Sequence, residues 1–299
     1  MQDKRILANS SKKGLLGSAV VEQLANAGFA VTVLTRDSKA LTGLPDGVKA
    51  VDVDYTSIES LTAALRGQDA AVCTLGTTAI TNQRPIIDAA IAAGVKRYVP
   101  SDFGSFTNDP AAQAAMPLMA SVTEIRNYLQ EKAKEGALEY TAFATGAFLE
   151  LILTMPFAAD LAKRTVRYHD DGKHPFSTSS IVTIGKAVAS ALKTPEASKN
   201  RVLFVHDGVV SQYKLVALAK KYAPEGWTET RVDGEAEYQE AREALSKEEP
   251  SLHATYRLLG AALLGGKFAG AYSSVDNASL GLGTLSDADL EAKVAALYK

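Results

Sequence analysis

The chain has 299 residues, of which 46% are hydrophobic and 22% charged. That balance suits one large α/β domain or a main domain with a smaller lobe. A formal net charge of −2 and the lack of any dense Lys/Arg run exclude nucleic acid and anionic membranes as expected partners. The single cysteine excludes an internal disulfide and a cysteine-rich metal site, and none of the four histidines has metal-ligand spacing.

The chain enters a short strand at residues 6–8 without the apolar stretch and cleavage site of a secretion signal, so the cytoplasm is the expected location. The apolar run 258–264 is too short to span a bilayer and is broken by Gly260. Leu16, Val20, Leu24 and Ala27 recur at helical spacing over 14–27, and Gly28 closes that helix. Strands follow at 30–34 and 48–53. Thr56 to Glu59 reads as a capping box opening a helix to Gly67. Residues 69–75 form a fourth strand carrying Cys73 as a buried thiol. A helix at 85–93, closed by Gly94, precedes a fifth strand at 95–99.

Strands separated mostly by helices predict right-handed crossovers and a doubly wound parallel sheet. The loops after Ala8, Leu34, Leu75 and Val99 then surround one ligand crevice. The second half predicts a helix at 117–136, a strand at 138–143, helices at 179–192 and 212–222, and a strand at 201–206. Residues 226–270 read as mostly helical.

The turn Ser11-Lys12-Lys13-Gly14-Leu15-Leu16-Gly17 lies between the first strand and first helix. It matches G-x-x-G-x-x-G with serine leading. A helix N-terminus offers unpaired N–H groups and a positive dipole end to a pyrophosphate. Gly14 permits close backbone approach and Gly17 close helix–sheet packing. Serine is strained where the turn needs positive φ, and Lys12 and Lys13 offer compensating charge. Arg36 closes the second strand, where an acid would bind NAD ribose and an arginine accommodates the 2′-phosphate of NADP(H). Asp37 leaves NAD open, although Asp37-Ser38 more simply starts a turn.

The segment Val95-Lys96-Arg97-Tyr98-Val99-Pro100-Ser101-Asp102-Phe103-Gly104 resembles the V-K-R-F-x-P-S-E-F-G stretch of NmrA-like and isoflavone-reductase-like proteins, atypical short-chain dehydrogenases. Residues 31–36, 83–90 and 145–150 agree in order and spacing, and Ile184-Gly185 resembles a later D-I-G segment. The resemblance implies a Rossmann-type NADP(H) domain at 1–150 and a mainly substrate-binding lobe at 151–299, with some segments returning to the sheet. It implies cofactor contacts from Gly14, Leu15, Leu16, Arg36, Leu75, Gly76, Thr77, Gln83, Ser101, Asp102, Phe103, Thr145, Gly146 and Phe148, with Asp54 near the adenine. Structural alternatives stand beside these: Phe103 and Phe148 as core aromatics, Gln83 as a helix start, Gly76 as a turn.

Reductases of this kind carry a lysine four residues before an arginine on the next helix. Here that arginine is Arg126 and the lysine position holds Val122. Carbonyl reduction needs a proton donor or cation at the developing alkoxide, which valine is not. Asp102 is the candidate acid, since burial raises a carboxyl. Tyr168, His169 and His174 are further candidates from the lobe. The expected function is NADPH-dependent reduction of a small apolar aromatic or secondary metabolite. A non-catalytic NADP(H) sensor binding a protein partner and a redox-neutral isomerase or cyclase remain as alternatives. The oligomeric state is left open.

Overall fold

The computed structural model describes residues 5–9, 14–247 and 251–298. Strand β1 (Arg5–Asn9) leads to α1 (Leu15–Asn26), then β2 (Ala30–Thr35) and β3 (Lys49–Asp52). Next come α2 (Ile58–Leu65), β4 (Ala70–Cys73), α3 (Gln83–Ala92) and β5 (Arg97–Val99). After the two-residue β6 (Phe103–Gly104) follow α4 (Pro110–Ala115), α5 (Pro117–Lys134) and β7 (Glu139–Ala144).

The main sheet has the order β11-β7-β5-β4-β1-β2-β3, where β11 (Arg201–Phe204) returns from the second half and β6 pairs with β7. All its pairings are parallel, so both faces need covering by helices. The order departs in opposite directions from β1 and β4. That is the switch point at which such sheets hold ligands.

One face packs on α1 and α7 (Ile181–Lys193) through Val20, Leu24, Ile184 and Val188. Gly185 explains the close fit: a Cβ there would lie 2.9 Å from the Ala19 carbonyl oxygen of α1. The opposite face packs on α2, α3 and α5 through Leu61, Ile87, Ile125 and Leu129. Each such aliphatic side chain contributes roughly 1.5–3 kcal/mol relative to exposure. Cys73 lies in this second layer, where burial pushes its thiol up to about 11.

Beyond β7 the chain forms β8 (Ala147–Phe148), α6 (Leu149–Thr154), β9 (Thr165–His169) and β10 (Phe176–Ser179). After α7 come α8 (Pro195–Ser198), β11, β12 (Gly208–Val210), α9 (Gln212–Lys220) and β13 (Thr228–Val232). Helices α10 (Gly234–Lys247), α11 (Leu252–Leu264) and α12 (Asp287–Ala295) end the chain. Sheets β12-β10-β8 and β13-β9 and these helices share a third core around Phe176, Leu215, Tyr238 and Leu258.

Two local expectations are corrected. The helix α2 is capped by Ser57, whose hydroxyl accepts from Ser60 N–H, because Thr56 is held by the Asp54 carboxylate instead. The mostly helical reading of 226–270 misses β13, where Thr228, Thr230 and Val232 are β-branched residues at alternate positions, a strand signal. No helix among the described residues is long and apolar enough to cross a membrane.

Candidate active site

The carboxyl ends of the central strands define the crevice. Ser11, Lys12 and Lys13 lie outside the described residues. The described turn starts at Gly14, which caps α1 in extended conformation at φ −78°, ψ 106°. No side chain caps this helix, and its first turn has no acid. Its leading N–H groups and positive dipole end are therefore unclaimed by described side chains, as anion binding requires. Leu15 is exposed there, while Leu16 is buried against the sheet.

Arg36 follows β2 directly, is exposed, and makes no ion pair among the described residues. Asp37 is committed elsewhere: its Oδ1 accepts the N–H groups of Lys39 and Ala40 at 3.1 and 3.3 Å. The acid is spent on a local turn, and the arginine stays available. Asp54 is also exposed and accepts Thr56 Oγ1–H and N–H at 2.6 and 2.8 Å, which hold its carboxyl below the usual range.

Loops after β4 and β5 are fastened together. Ser101 Oγ donates to the Leu75 carbonyl at 2.7 Å, and Ser101 N–H donates to Gln83 Oε1 at 2.7 Å. Gln83 Nε2 donates to the Ile80 carbonyl at 3.0 Å. Both ends of the buried Gln83 amide are thus engaged within the protein, so this residue shapes the loop. Around Gly76 the space is open, with nothing within 4 Å of an added Cβ. Thr77 Oγ1 lies 3.1 Å from the Tyr256 hydroxyl on α11, tying the second lobe to this loop.

Asp102 is buried and ion-paired with Arg126 of α5. Arg126 Nε and Nη2 both donate to Oδ2, the former at 3.1 Å. Burial raises the Asp102 carboxyl, and the Arg126 guanidinium and Thr107 hydroxyl oppose that rise. Oδ2 is committed to the guanidinium, while the buried Oδ1 has no hydrogen-bond partner among the described residues.

Phe103 stacks on Phe143 with centroids 5.9 Å apart and planes at 12°. Phe103 and Phe148 both pack half-buried against the α1/α7 core, which is the core-aromatic alternative. Thr145 is fully buried. Gly146 adopts φ +67°, and a Cβ there would lie 2.2 Å from the Ser177 carbonyl oxygen. Only glycine fits that turn.

The lobe holds three further candidates, Tyr168, His169 and His174. Tyr168 is a core residue of the lobe. His169 is buried with its backbone N–H on Gln212 Oε1 at 2.9 Å, and His174 Nε2 meets Asp170 Oδ2 at 3.1 Å. These hydrogen bonds stay within the lobe. Sequence reasoning missed Tyr272, whose hydroxyl accepts Gly146 N–H at 2.7 Å and donates to the Gly104 carbonyl at 3.1 Å. Tyr272 lies outside every motif, so no local signal marked it.

Val122 is buried on the α5 face that also carries Met119 and Arg126. An apolar cavity of about 120 Å³ lies between the start of α5 and helices α10 and α11, lined by Met116, Leu118, Met119, Leu245, Leu258 and Leu259. The same helices also bring Arg126 to Asp102 and Tyr256 to Thr77. A larger polar cavity of about 220 Å³ sits by β12 and α12. There Asp207 accepts from Ser180 and Thr183, and Lys214 pairs with Asp287. Among the described residues no cluster of three His, Cys, Asp or Glu side chains could hold a metal.

The model of the NmrA-like family matches residues 3–257. The chain belongs to the NmrA-like family. It is 35% identical over 221 residues to "Oxidoreductase aprR" of Aspergillus flavus, covering 73% of this chain and 74% of that protein. Among solved structures, an isoflavone reductase superposes with TM-score 0.74 at 21% identity over 97% of this chain and 98% of the other. An NADPH-dependent quinone oxidoreductase of Escherichia coli, complexed with NADPH, superposes with TM-score 0.73 at 19% identity over 98% and 100%. This NmrA-like chain carries the Pro100-Ser101-Asp102-Phe103-Gly104 segment and, on the helix that follows, Val122 four residues before Arg126.

Proposed function

We propose that this NmrA-like protein is an NADPH-dependent reductase of small, apolar, conjugated substrates. The observation that carries the reading is Arg36, which makes no ion pair among the described residues at the end of β2, while Asp37 is consumed by its own turn. The oxidoreductase name of the Aspergillus flavus relative and the NADPH bound to the Escherichia coli neighbour support it. The cofactor fits the residues present: the α1 N-terminus receives the pyrophosphate, Arg36 the 2′-phosphate, and the loops around Gly76, Ser101 and Gly146 flank the nicotinamide.

When bound, NADPH would supply a hydride. The chain's part is to exclude water and orient the acceptor. The apolar wall of Met119, Leu258 and Leu259 holds an apolar substrate and offers no cation to a localised alkoxide. Such a wall favours acceptors whose added electrons are delocalised, enones and quinones, with the product anion taking its proton from bulk water once it leaves the site. Incubation with NADPH and a panel of quinones, enones and simple ketones tests this. Consumption with the conjugated members alone is expected. Reduction of simple ketones, or of nothing in the panel, would overturn the reading.

A further inference from the structure

The C-terminal lobe reaches the carboxyl end of the main sheet through Tyr272. Its hydroxyl bridges two backbone segments, accepting from Gly146 N–H at 2.7 Å and donating to the Gly104 carbonyl at 3.1 Å. Gly104 ends β6, and Gly146 forms the turn between β7 and β8. Directly, these segments share a long Thr145 N–H to Gly104 carbonyl bond of 3.3 Å next to the β6–β7 pairing. Tyr272 completes the joint.

The phenol is itself held from several sides. Its ring packs edge-on against Phe204 with centroids 5.1 Å apart. Its backbone N–H donates to Ser177 Oγ at 3.0 Å, and that hydroxyl lies 2.9 Å from His206 Nδ1. The Ser177 carbonyl is also the group against which the Gly146 turn is pressed. Two lobe residues far apart in the chain, Ser177 and Tyr272, thus fix the turn from two directions.

We propose that Tyr272 is a positioning residue for the nicotinamide half of the cofactor site, setting the spacing between the Gly104 and Gly146 segments without touching the reacting atoms. This rests on the function proposed above, which sets the nicotinamide against the Ser101 and Gly146 loops that this joint holds together. Burial holds the phenol protonated well above its ordinary range, and its one proton is already given to Gly104. It is therefore a fixed clamp. The adenine end, at Arg36 and Asp54, has no direct bond to it, so the effect of losing the hydroxyl is confined to one half of the cofactor.

The variant Tyr272→Phe keeps the ring on Phe204 and removes only the hydroxyl. Full-length protein is titrated with NADPH and with adenosine 2′,5′-bisphosphate, which carries the adenine half alone. Two part-buried hydrogen bonds predict about tenfold weaker NADPH binding with the bisphosphate unchanged within about twofold. Unchanged NADPH affinity, or equal loss for both ligands, overturns the proposal. If Tyr272→Phe does not fold, Ser177→Ala, which frees the Tyr272 backbone N–H, is expected to give the same selective loss at about threefold. Equal losses or none for Ser177→Ala overturn it likewise. Wild-type protein that binds neither ligand would instead defeat the cofactor reading itself.

Discussion

Asp102 and Arg126 form a buried ion pair where the loop after β5 meets α5, with two guanidinium nitrogens on the single oxygen Oδ2. The remaining Nη1 donates to the Thr107 carbonyl at 2.6 Å and to Asn108 Oδ1 at 3.0 Å. The pair thus pins the loop that carries Phe106 at φ +60°, a strained setting for a bulky residue. Removing one partner leaves the other charge buried and uncompensated. Arg126→Ala and Asp102→Asn are each expected to cost about 3–5 kcal/mol in urea unfolding, with the double variant well short of the sum. Because Asp102 is engaged structurally, turnover per folded molecule of Asp102→Asn is expected to persist. Its abolition in folded protein would restore Asp102 as the acid.

Gly146 and Gly76 make a contrasting pair of glycines. An alanine at 146 meets the Ser177 carbonyl at 2.2 Å in a left-handed backbone, whereas one at 76 enters open space. Gly146→Ala is expected to lose at least about 2 kcal/mol, and Gly76→Ala to stay within about 0.5 kcal/mol. Thermal melts of the two variants side by side read this directly.

His169 and His206 give the fold a pH dependence. Burial lowers both imidazoles from the usual value near 6.5, against neighbours such as Gln212, Glu237 and Asp207 that pull the other way. Below that value the unfolded chain takes up protons that the folded protein resists, so stability falls as pH drops through about 6.5 and is fully present above it. Urea midpoints at pH 8 and pH 5.5 should show that decline, and His206→Asn should make it shallower. An unchanged slope in the variant would place the effect elsewhere.

Much of this was legible in the sequence because it depends on local pattern. The alternation of apolar runs and helical stripes marked β1 to β5, and Arg36 could be read from its place at a strand end. The Ser101 loop was marked by family resemblance. What was not legible depends on partners distant in the chain. Gln83 looked like a ligand contact, yet its amide is consumed by Ser101 and Ile80 across a loop. Asp102 looked like a free acid until α5 brought Arg126 to it. Tyr272 meets Gly146 over a separation of 126 residues, and no spacing rule reaches that far.

The account turns on whether Arg36 reads a 2′-phosphate. A charge-assisted contact of this kind is worth roughly 1.5–3 kcal/mol, or about 10- to 100-fold in affinity. The decisive measurement is calorimetric titration of wild-type and Arg36→Ala protein with NADPH and NADH. The account predicts wild-type preference for NADPH and its collapse, by that factor, in the variant with NADH little changed. Equal affinities in the wild type, or equal losses for both nucleotides, would contradict it.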